Sequence, residues 1–218
     1  MAVSMERRAA VLASDGAWLL LAELNHRVHN ELQVALSALR LARREAASAQ
    51  SARFIEEAAA RLDAVGRVQQ LLDRQRGHGS MAERLEALCQ ATALAKAAPR
   101  SGRLTLKLDD VTADEETIWT VCVVACELMT NAFKHAFADG LAGEVVVVLT
   151  QDAQGVVLSV SDNGMGGAPG SFETAWEAPG FGTSIVSQLA ERLGGFVTRV
   201  SAPGGTTATL SVPTANRP

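Results

Sequence analysis

The stretch ELMTNAFKH, residues 127–135, lies in a longer segment that we predict to be a helix over about residues 114–136. Within this stretch Glu127 and Asn131 are four residues apart, and Lys134 or His135 follows one turn later. Side chains at this spacing share one face of a helix. The stretch therefore places a compact polar patch on one side of a largely apolar helix.

Three glycine-containing segments follow this helix. Asp162-Asn-Gly-Met-Gly-Gly167 comes directly after a predicted strand, which holds the carboxylate at a strand end. Gly180-Phe-Gly182 precedes a helix predicted over about residues 183–193, whose first turn offers free N–H groups and a positive dipole end to phosphate. Gly204-Gly-Thr-Thr207 precedes the last strand. Each glycine loop alone could be a plain turn. The polar helix face followed by the three glycine segments in this order, however, indicates one functional site.

The rest of this half mixes strand and helix patterns. Strands are predicted at residues 104–108, 144–150 and 156–161, and the last two are separated by the turn-forming Asp152-Ala-Gln-Gly155. A further helix is predicted over about residues 82–97, and a last hairpin passes through Gly204-Gly205. Such a pattern predicts a layered α/β sandwich with the helices on one face of the sheet.

Residues from about 17 to 75 have helical periodicity and no strand pattern. Apolar residues recur at three- and four-residue spacings in the first stretch: Leu21, Leu24, Val28, Leu32, Ala35 and Leu39. A polar break at residues 46–51 precedes a second stripe, which predicts an antiparallel helical hairpin. Pairing with a second copy into a four-helix bundle would cover both stripes; packing on the chain's own C-terminal domain is the alternative. Residues 76–80 form a linker, so the predicted domains are 1–76 and 82–218.

One histidine lies on the polar side of the first helix. At about 100° per residue, His26 points away from the apolar stripe. Glu23 precedes it by one turn and Asn30 follows it by one turn on the same face. A neighbouring carboxylate can accept the second ring N–H of an imidazole, which fixes the tautomer and raises its nucleophilicity. Taken alone, a surface histidine of this kind is a weak indication of function.

The order of motifs in the second half resembles the N, G1 and G2 boxes of the GHKL (Bergerat-fold) ATPases. The segment around His26 resembles the His-Arg-x-Lys-Asn phosphoacceptor box of the HWE and second-type HisKA sensor histidine kinases; His26 is the histidine that precedes arginine. The resemblance covers about residues 17–213 and implies an α+β fold: a helical hairpin, then a GHKL α/β sandwich with a mixed sheet. The lysine and second asparagine of the box are His29 and Glu31 here, and the adjacent Trp176-Glu177 favours the second-type HisKA branch.

The resemblance implies roles in binding ATP and Mg²⁺. Asn131 would coordinate Mg²⁺ and Glu127 would orient the ion or its water. Lys134 and His135 would approach the phosphates. Asp162 would accept a hydrogen bond from the exocyclic amine of adenine. Guanine presents a carbonyl oxygen, itself an acceptor, at the same position.

The resemblance also implies roles for the glycine and threonine positions. The backbone would approach the base at Gly164 and Gly166 and would wrap the phosphates at Gly180 and Gly182. Thr206 or Thr207 would reach the base through water. Residues 168–179 would form a short ATP lid.

The function expected from this resemblance is ATP-dependent autophosphorylation of His26, followed by transfer to an aspartate of a response-regulator receiver domain. Glu23 would polarise His26, and Arg27 would steady the phosphate or the acidic receiver site. Asn30 suggests a phosphatase activity towards the receiver. Two alternatives remain open: a non-enzymatic phosphotransfer adaptor with a relic ATP domain, and an anti-sigma-type serine kinase.

Composition restricts the environment and the partners. The net charge of −4 and the pI near 5.6 argue against a nucleic-acid partner. The apolar runs are far shorter than the roughly 20 residues of a membrane helix, so no membrane insertion is expected. Three cysteines without metal-site spacing are interpreted as buried free thiols, which favours the cytosol. Few residues precede the first helix, so the signal is expected from a separate sensor protein or through the bundle of a homodimer.

Overall fold

The fold is that of a computed structural model, which describes residues 27–28, 30–73, 79–96, 102–137, 143–167 and 181–213. The chain divides into two compact units, residues 1–69 and 70–218. Of the positions expected to act, Glu23, His26 and Gly180 lie outside the described residues.

The first unit contains a pair of helices, as the sequence predicts. Residues 30–44 form helix α1, and Ala49–Leu71 forms helix α2, whose last residues extend into the second unit. The Ser48 hydroxyl accepts a hydrogen bond from the Ser51 N–H at 3.1 Å and so caps the first turn of α2. Because only residues 45–48 separate the two helices, they form a hairpin.

The apolar residues of α1 are only partly covered within one chain. Leu36 is buried, with 1% of its surface exposed. Val28 and Ala35, both on the predicted stripe, are exposed, and so is Leu41. The hairpin of a single chain therefore leaves apolar surface in contact with water.

The second unit contains three helices and five strands among its described residues. Its helices are α3 (Met81–Lys96), α4 (Glu115–His135) and α5 (Phe181–Arg192). Its strands are β1 (Arg103–Leu108), β2 (Glu144–Gln151), β3 (Gly155–Asp162), β4 (Phe196–Ala202) and β5 (Gly205–Pro213). The α+β fold with a mixed sheet that the sequence predicts is confirmed.

The strands form one sheet in the order β1-β2-β3-β5-β4. Strand β1 runs parallel to β2, whereas the other three pairs are antiparallel. The parallel pair follows from the crossover through α4, which separates β1 from β2 in the sequence. The β2–β3 pair turns at residues 152–154, where the sequence predicts a turn.

The core lies between the helices and one face of the sheet. Alternate residues of the central strands are buried on this face, among them Val147, Leu158 and Leu210. Helix α4 packs on β2, β3 and β5, and α5 packs on β4 and β5. The opposite face carries exposed apolar side chains on β4, at Phe196 and Val200. The helices therefore cover one face, as predicted.

Candidate functional site

Asp162 is the last residue of β3, on the face of the sheet that the helices cover. Its Oδ1 accepts hydrogen bonds from the backbone N–H groups of Gly164 at 3.0 Å and of Thr206 at 3.2 Å. Both bonds fall on Oδ1, so no described residue occupies Oδ2. Burial raises the pKa of Asp162, while the two N–H donors and the charge of Arg199 oppose that rise. Within the described part of the chain, both hydrogen bonds to this half-buried carboxylate therefore fall on one of its two oxygens.

The glycine loop after Asp162 packs tightly against its neighbours. The Met165 N–H donates to the carbonyl oxygen of Ala136, directly after α4, at 3.2 Å. A Cβ on Gly164 would collide with that same oxygen. Gly166 has φ of 60°, and a Cβ there would collide with the carbonyl oxygen of Ala202. Both glycines therefore let the loop approach the protein's own backbone closely. As a result, the loop packs between the end of α4 and the β4–β5 hairpin.

A row of polar residues crosses the sheet beside this loop. Asp162 pairs with Thr206 on β5, and Thr206 pairs with Ser201 on β4. The hydroxyl oxygens of Thr206 and Ser201 are 2.9 Å apart, within hydrogen-bonding distance. Directly opposite residues share a face of the sheet, so Thr206 lies on the face of Asp162 and Thr207 lies on the other. The sequence left open whether Thr206 or Thr207 would reach the base through water, and the register favours Thr206 for that role.

Helix α4 supplies the second part of the site. Asp114 caps its N-terminus, accepting a hydrogen bond from the Thr117 N–H at 2.8 Å. The half-buried Asn131 donates through Nδ2 to Glu127 Oε1 at 3.3 Å. This bond leaves Asn131 Oδ1 and Glu127 Oε2 as two oxygen acceptors on one helix face. The described residues contain no cluster of three or more His, Cys, Asp or Glu side chains suited to a metal.

Three further predicted residues lie on the helices around this end of the second unit. Lys134 and His135 are in the last turn of α4 and are exposed. Gly182 lies in the first turn of α5. A short turn with Gly194 at φ of 70° connects α5 to β4, on which α5 packs. The N-terminus of α5 therefore lies towards the end of β4 where Ser201 is located.

The hairpin residues are described only in part. Arg27 and Asn30 are helical and exposed, which is consistent with a polar face on the first helix. Glu23 and His26 lie outside the described residues, so their place relative to Asn30 remains a prediction.

Two family models match successive parts of the chain. Residues 23–95 match the second-type HisKA model, described as a histidine kinase, and residues 120–216 match the model of histidine kinase-, DNA gyrase B- and HSP90-like ATPases. The first match includes His26, and the second includes Asn131 and Asp162. The chain belongs to the histidine kinase family. The ATPase match supports the use of ATP.

Known relatives agree with this assignment. The sensor histidine kinase PdtaS of Mycobacterium tuberculosis is 28% identical over 220 residues, which cover 98% of this chain and 42% of the relative. The chain thus spans less than half the length of that relative. The histidine kinase domain of the Erythrobacter litoralis EL346 blue-light activated histidine kinase has a TM-score of 0.58 at 19% identity, over 84% of this chain and 95% of that domain. The longer structure of the same kinase gives 0.59 at 19% identity, over 88% of this chain and 60% of that chain, and both structures support the fold.

Two residues near Asp162 were missed by sequence reasoning. Ser201 lies in the polar row with Asp162, and Arg199 lies two residues before it on β4. Both alternate with the buried Val197 along the strand and so face the helices. Polar residues at apolar positions of an amphipathic strand were the signal that could have identified them.

The remaining predictions concern the thiols and the membrane. Cys89 and Cys122 are buried and Cys126 is half-buried, and all three are free, as the sequence predicts. Burial raises the pKa of Cys122 to about 11 and also raises that of Cys126, so these thiols are protonated near neutral pH. No helix in the described part of the chain is long and apolar enough to cross a membrane.

Proposed function

We propose that this chain autophosphorylates His26 with ATP and then passes the phosphoryl group to an aspartate of a response-regulator receiver domain. The observation that carries the proposal is the Asp162 carboxylate, which is held by two backbone N–H groups with Oδ2 left for a ligand. Membership of the histidine kinase family supports the same conclusion.

The Asp162 site suits adenine. A carboxylate oxygen accepts a hydrogen bond from the exocyclic amine of adenine, but it repels the carbonyl oxygen that guanine presents at the same position. The Thr206 hydroxyl, on the same face of the sheet, is suited to a water-mediated contact with the base. The backbone N–H groups at the N-terminus of α5, near Gly182, are suited to the phosphates. Gly180, which lies outside the described residues, would contribute to the same contact.

The α4 face suits Mg²⁺. This ion takes hard oxygen ligands and is commonly held by one or two protein oxygens together with substrate phosphates. Asn131 Oδ1 and Glu127 Oε2 would be those protein oxygens, while Lys134 and His135 would bind the phosphates. Bound Mg²⁺ supplies neutralisation of charge on the phosphates during phosphoryl transfer.

The hairpin, residues 1–76, would present the phosphoacceptor, and residues 82–218 would bind ATP. Glu23 would accept the second ring N–H of His26 and so orient its nucleophilic nitrogen. Arg27 would steady the incoming phosphate. The exposed Asn30 would orient a water that hydrolyses the phosphorylated receiver, which adds a phosphatase activity.

Exposed apolar residues on α1 support a homodimer whose hairpins form a four-helix bundle. The receiver domain and a separate sensor protein would be the partners.

Incubation with γ-labelled ATP and Mg²⁺ tests the proposal. The wild type and His29→Ala should both acquire acid-labile phosphate, and His26→Ala should acquire none. If the label is retained in His26→Ala but lost in His29→Ala, the phosphoacceptor is His29 and the assignment of His26 is wrong. Absence of both ATP binding and label would favour the phosphotransfer adaptor, and acid-stable phosphate would favour a serine kinase.

A further inference from the structure

Arg199 lies one row away from the adenine-binding carboxylate on the same face of the sheet. Arg199, Ala208 and Val160 form one cross-strand row, and Ser201, Thr206 and Asp162 form the next. Both rows face the helices, and Arg199 is half-buried. A long cationic side chain therefore starts on the diagonal from Asp162, two strands away.

The residue between them leaves room for this side chain. Ala208 is the cross-strand partner of Arg199 on the strand that separates β4 from β3. Strands are about 4.8 Å apart, so the two backbones are separated by roughly 10–12 Å. An extended arginine side chain covers much of that distance, and the small Ala208 does not block its path. Burial raises the pKa of Asp162, and the positive charge of Arg199 is one of the effects that oppose this rise, which agrees with this placement.

We infer that Arg199 is a positioning residue that keeps the Asp162 carboxylate charged and available to the amine of adenine. The inference rests on the proposed function of Asp162. Without a nearby cation, a half-buried carboxylate is more easily protonated, and a protonated carboxyl is a weaker acceptor for the amine. Arg199 would thus maintain nucleotide affinity at mildly acidic pH without contacting the nucleotide.

Other charged groups near Asp162 must be distinguished from Arg199. The neighbouring described elements carry Lys134 and His135 in the last turn of α4 and Glu144 at the start of β2. Measurements in a His135→Gln background remove the contribution of the only imidazole among these groups.

The test is the dissociation constant of ATP between pH 5 and 8, measured by calorimetry with the full chain. The compared proteins are wild type, Arg199→Met and Arg199→Lys, with Lys107→Met as the control because Lys107 lies on the opposite face of β1. The ratio of variant to wild-type constants cancels the titration of ATP itself. Circular dichroism establishes that each variant is folded, and Arg199→Gln replaces Arg199→Met if the latter is not.

For Arg199→Met the ratio should stay near one at pH 8 and rise as the pH falls towards 5, because removing a neighbouring positive charge raises the pKa of the Asp162 carboxyl. Arg199→Lys and Lys107→Met should follow the wild type. A ratio that is constant across pH, or an Arg199→Lys profile equal to that of Arg199→Met, would overturn the inference.

The Asp162→Asn background separates this inference from the proposed function. If Asp162→Asn weakens binding and Arg199→Met then adds no pH dependence, Arg199 acts through the carboxylate. Unchanged affinity in Asp162→Asn would instead remove the adenine role of Asp162, and the inference with it. Weakened affinity in Asp162→Asn, together with a flat ratio for Arg199→Met alone, would leave the proposed function intact and refute only the role of Arg199.

Discussion

Replacing Asp162 with asparagine changes the chemistry of the proposed adenine site while preserving its shape. The carboxylate Oδ1 accepts two backbone N–H bonds, from Gly164 and Thr206, and an amide oxygen at the same position can accept both. The group that takes the place of Oδ2 is then an NH₂ donor. Asp162→Asn therefore retains the clamp on the glycine loop and turns the free acceptor into a donor.

The size of the effect follows from the bond that is lost. A hydrogen bond to a charged group contributes about 1.5–3 kcal/mol, and the amine of adenine would now face a second donor. We expect ATP to bind about 10- to 150-fold more weakly, since each 1.4 kcal/mol is a factor of ten. The thermal stability of the free protein should change little.

Calorimetric titration with ATP and Mg²⁺ measures the effect, and Asp152→Asn is the matched control. Asp152 Oδ1 also accepts two backbone N–H bonds, from Gln154 at 2.7 Å and Gly155 at 3.0 Å, but in the β2–β3 turn. Asp152→Asn should bind ATP like the wild type. Equal affinity in Asp162→Asn and Asp152→Asn would refute the assignment of the adenine acceptor.

Four further predictions concern other parts of the chain. Asn131→Ala should abolish Mg²⁺-dependent autophosphorylation in a labelled-ATP assay, because it removes one of the two proposed metal ligands. Val28→Asp should convert a dimer into a monomer in light scattering at tens of micromolar, because it places a charge on the exposed apolar face of the hairpin. Asn30→Ala should slow dephosphorylation of a phosphorylated receiver while leaving autophosphorylation largely intact, since only hydrolysis needs a positioned water. Gly166→Ala should lower the free energy of unfolding by about 1–3 kcal/mol in urea, because its Cβ would meet the Ala202 carbonyl at positive φ.

Each of these predictions has a control or a contradicting result. If Asn131→Ala retains metal-dependent turnover, Asn131 is not a metal ligand. Leu94→Asp, at an exposed position of α3, should leave the dimer intact, and a wild-type monomer would contradict the bundle. Loss of autophosphorylation in Asn30→Ala, with no change in the lifetime of the receiver phosphate, would refute the phosphatase role. Gly204→Ala, at φ of 100° with no atom near the added Cβ, should cost less than Gly166→Ala.

Local elements were predictable because their signals lie within a few residues. The predicted helix at 114–136 is Glu115–His135, with Asp114 as its cap, and the predicted strands at 144–150 and 156–161 are each extended by one or two residues. Alternation and turn residues are sufficient for such assignments. The pairing of β3 with β5 was not predictable from these signals, because it joins residues more than forty positions apart through α5.

The motif at Asp162 could be singled out from the sequence because it places a carboxylate at a strand end before several glycines, and its role in binding adenine stays a prediction. Sequence reasoning predicts that the backbone approaches the base at these glycines, and the structure adds that Gly164 and Gly166 have close neighbours in the protein's own backbone. These neighbours were not predictable, because they depend on where α4 and the β4–β5 hairpin end in space. Arg199 and Ser201 were missed for the same reason, since only the register across three strands brings them near Asp162.

The position of Asp162 and Thr206 on β3 and β5 has a consequence for how the second unit folds. The sheet contains two local hairpins, β2–β3 and β4–β5, each closed by a short turn. Hairpins of this kind form within microseconds, whereas pairing between distant segments is slower because a long loop must close first. The Asp162–Thr206 pair belongs to the contact that joins the two hairpins, so the proposed adenine site exists only after that slower step. Nucleotide should therefore slow unfolding of the joined sheet and leave the rate of hairpin formation unchanged.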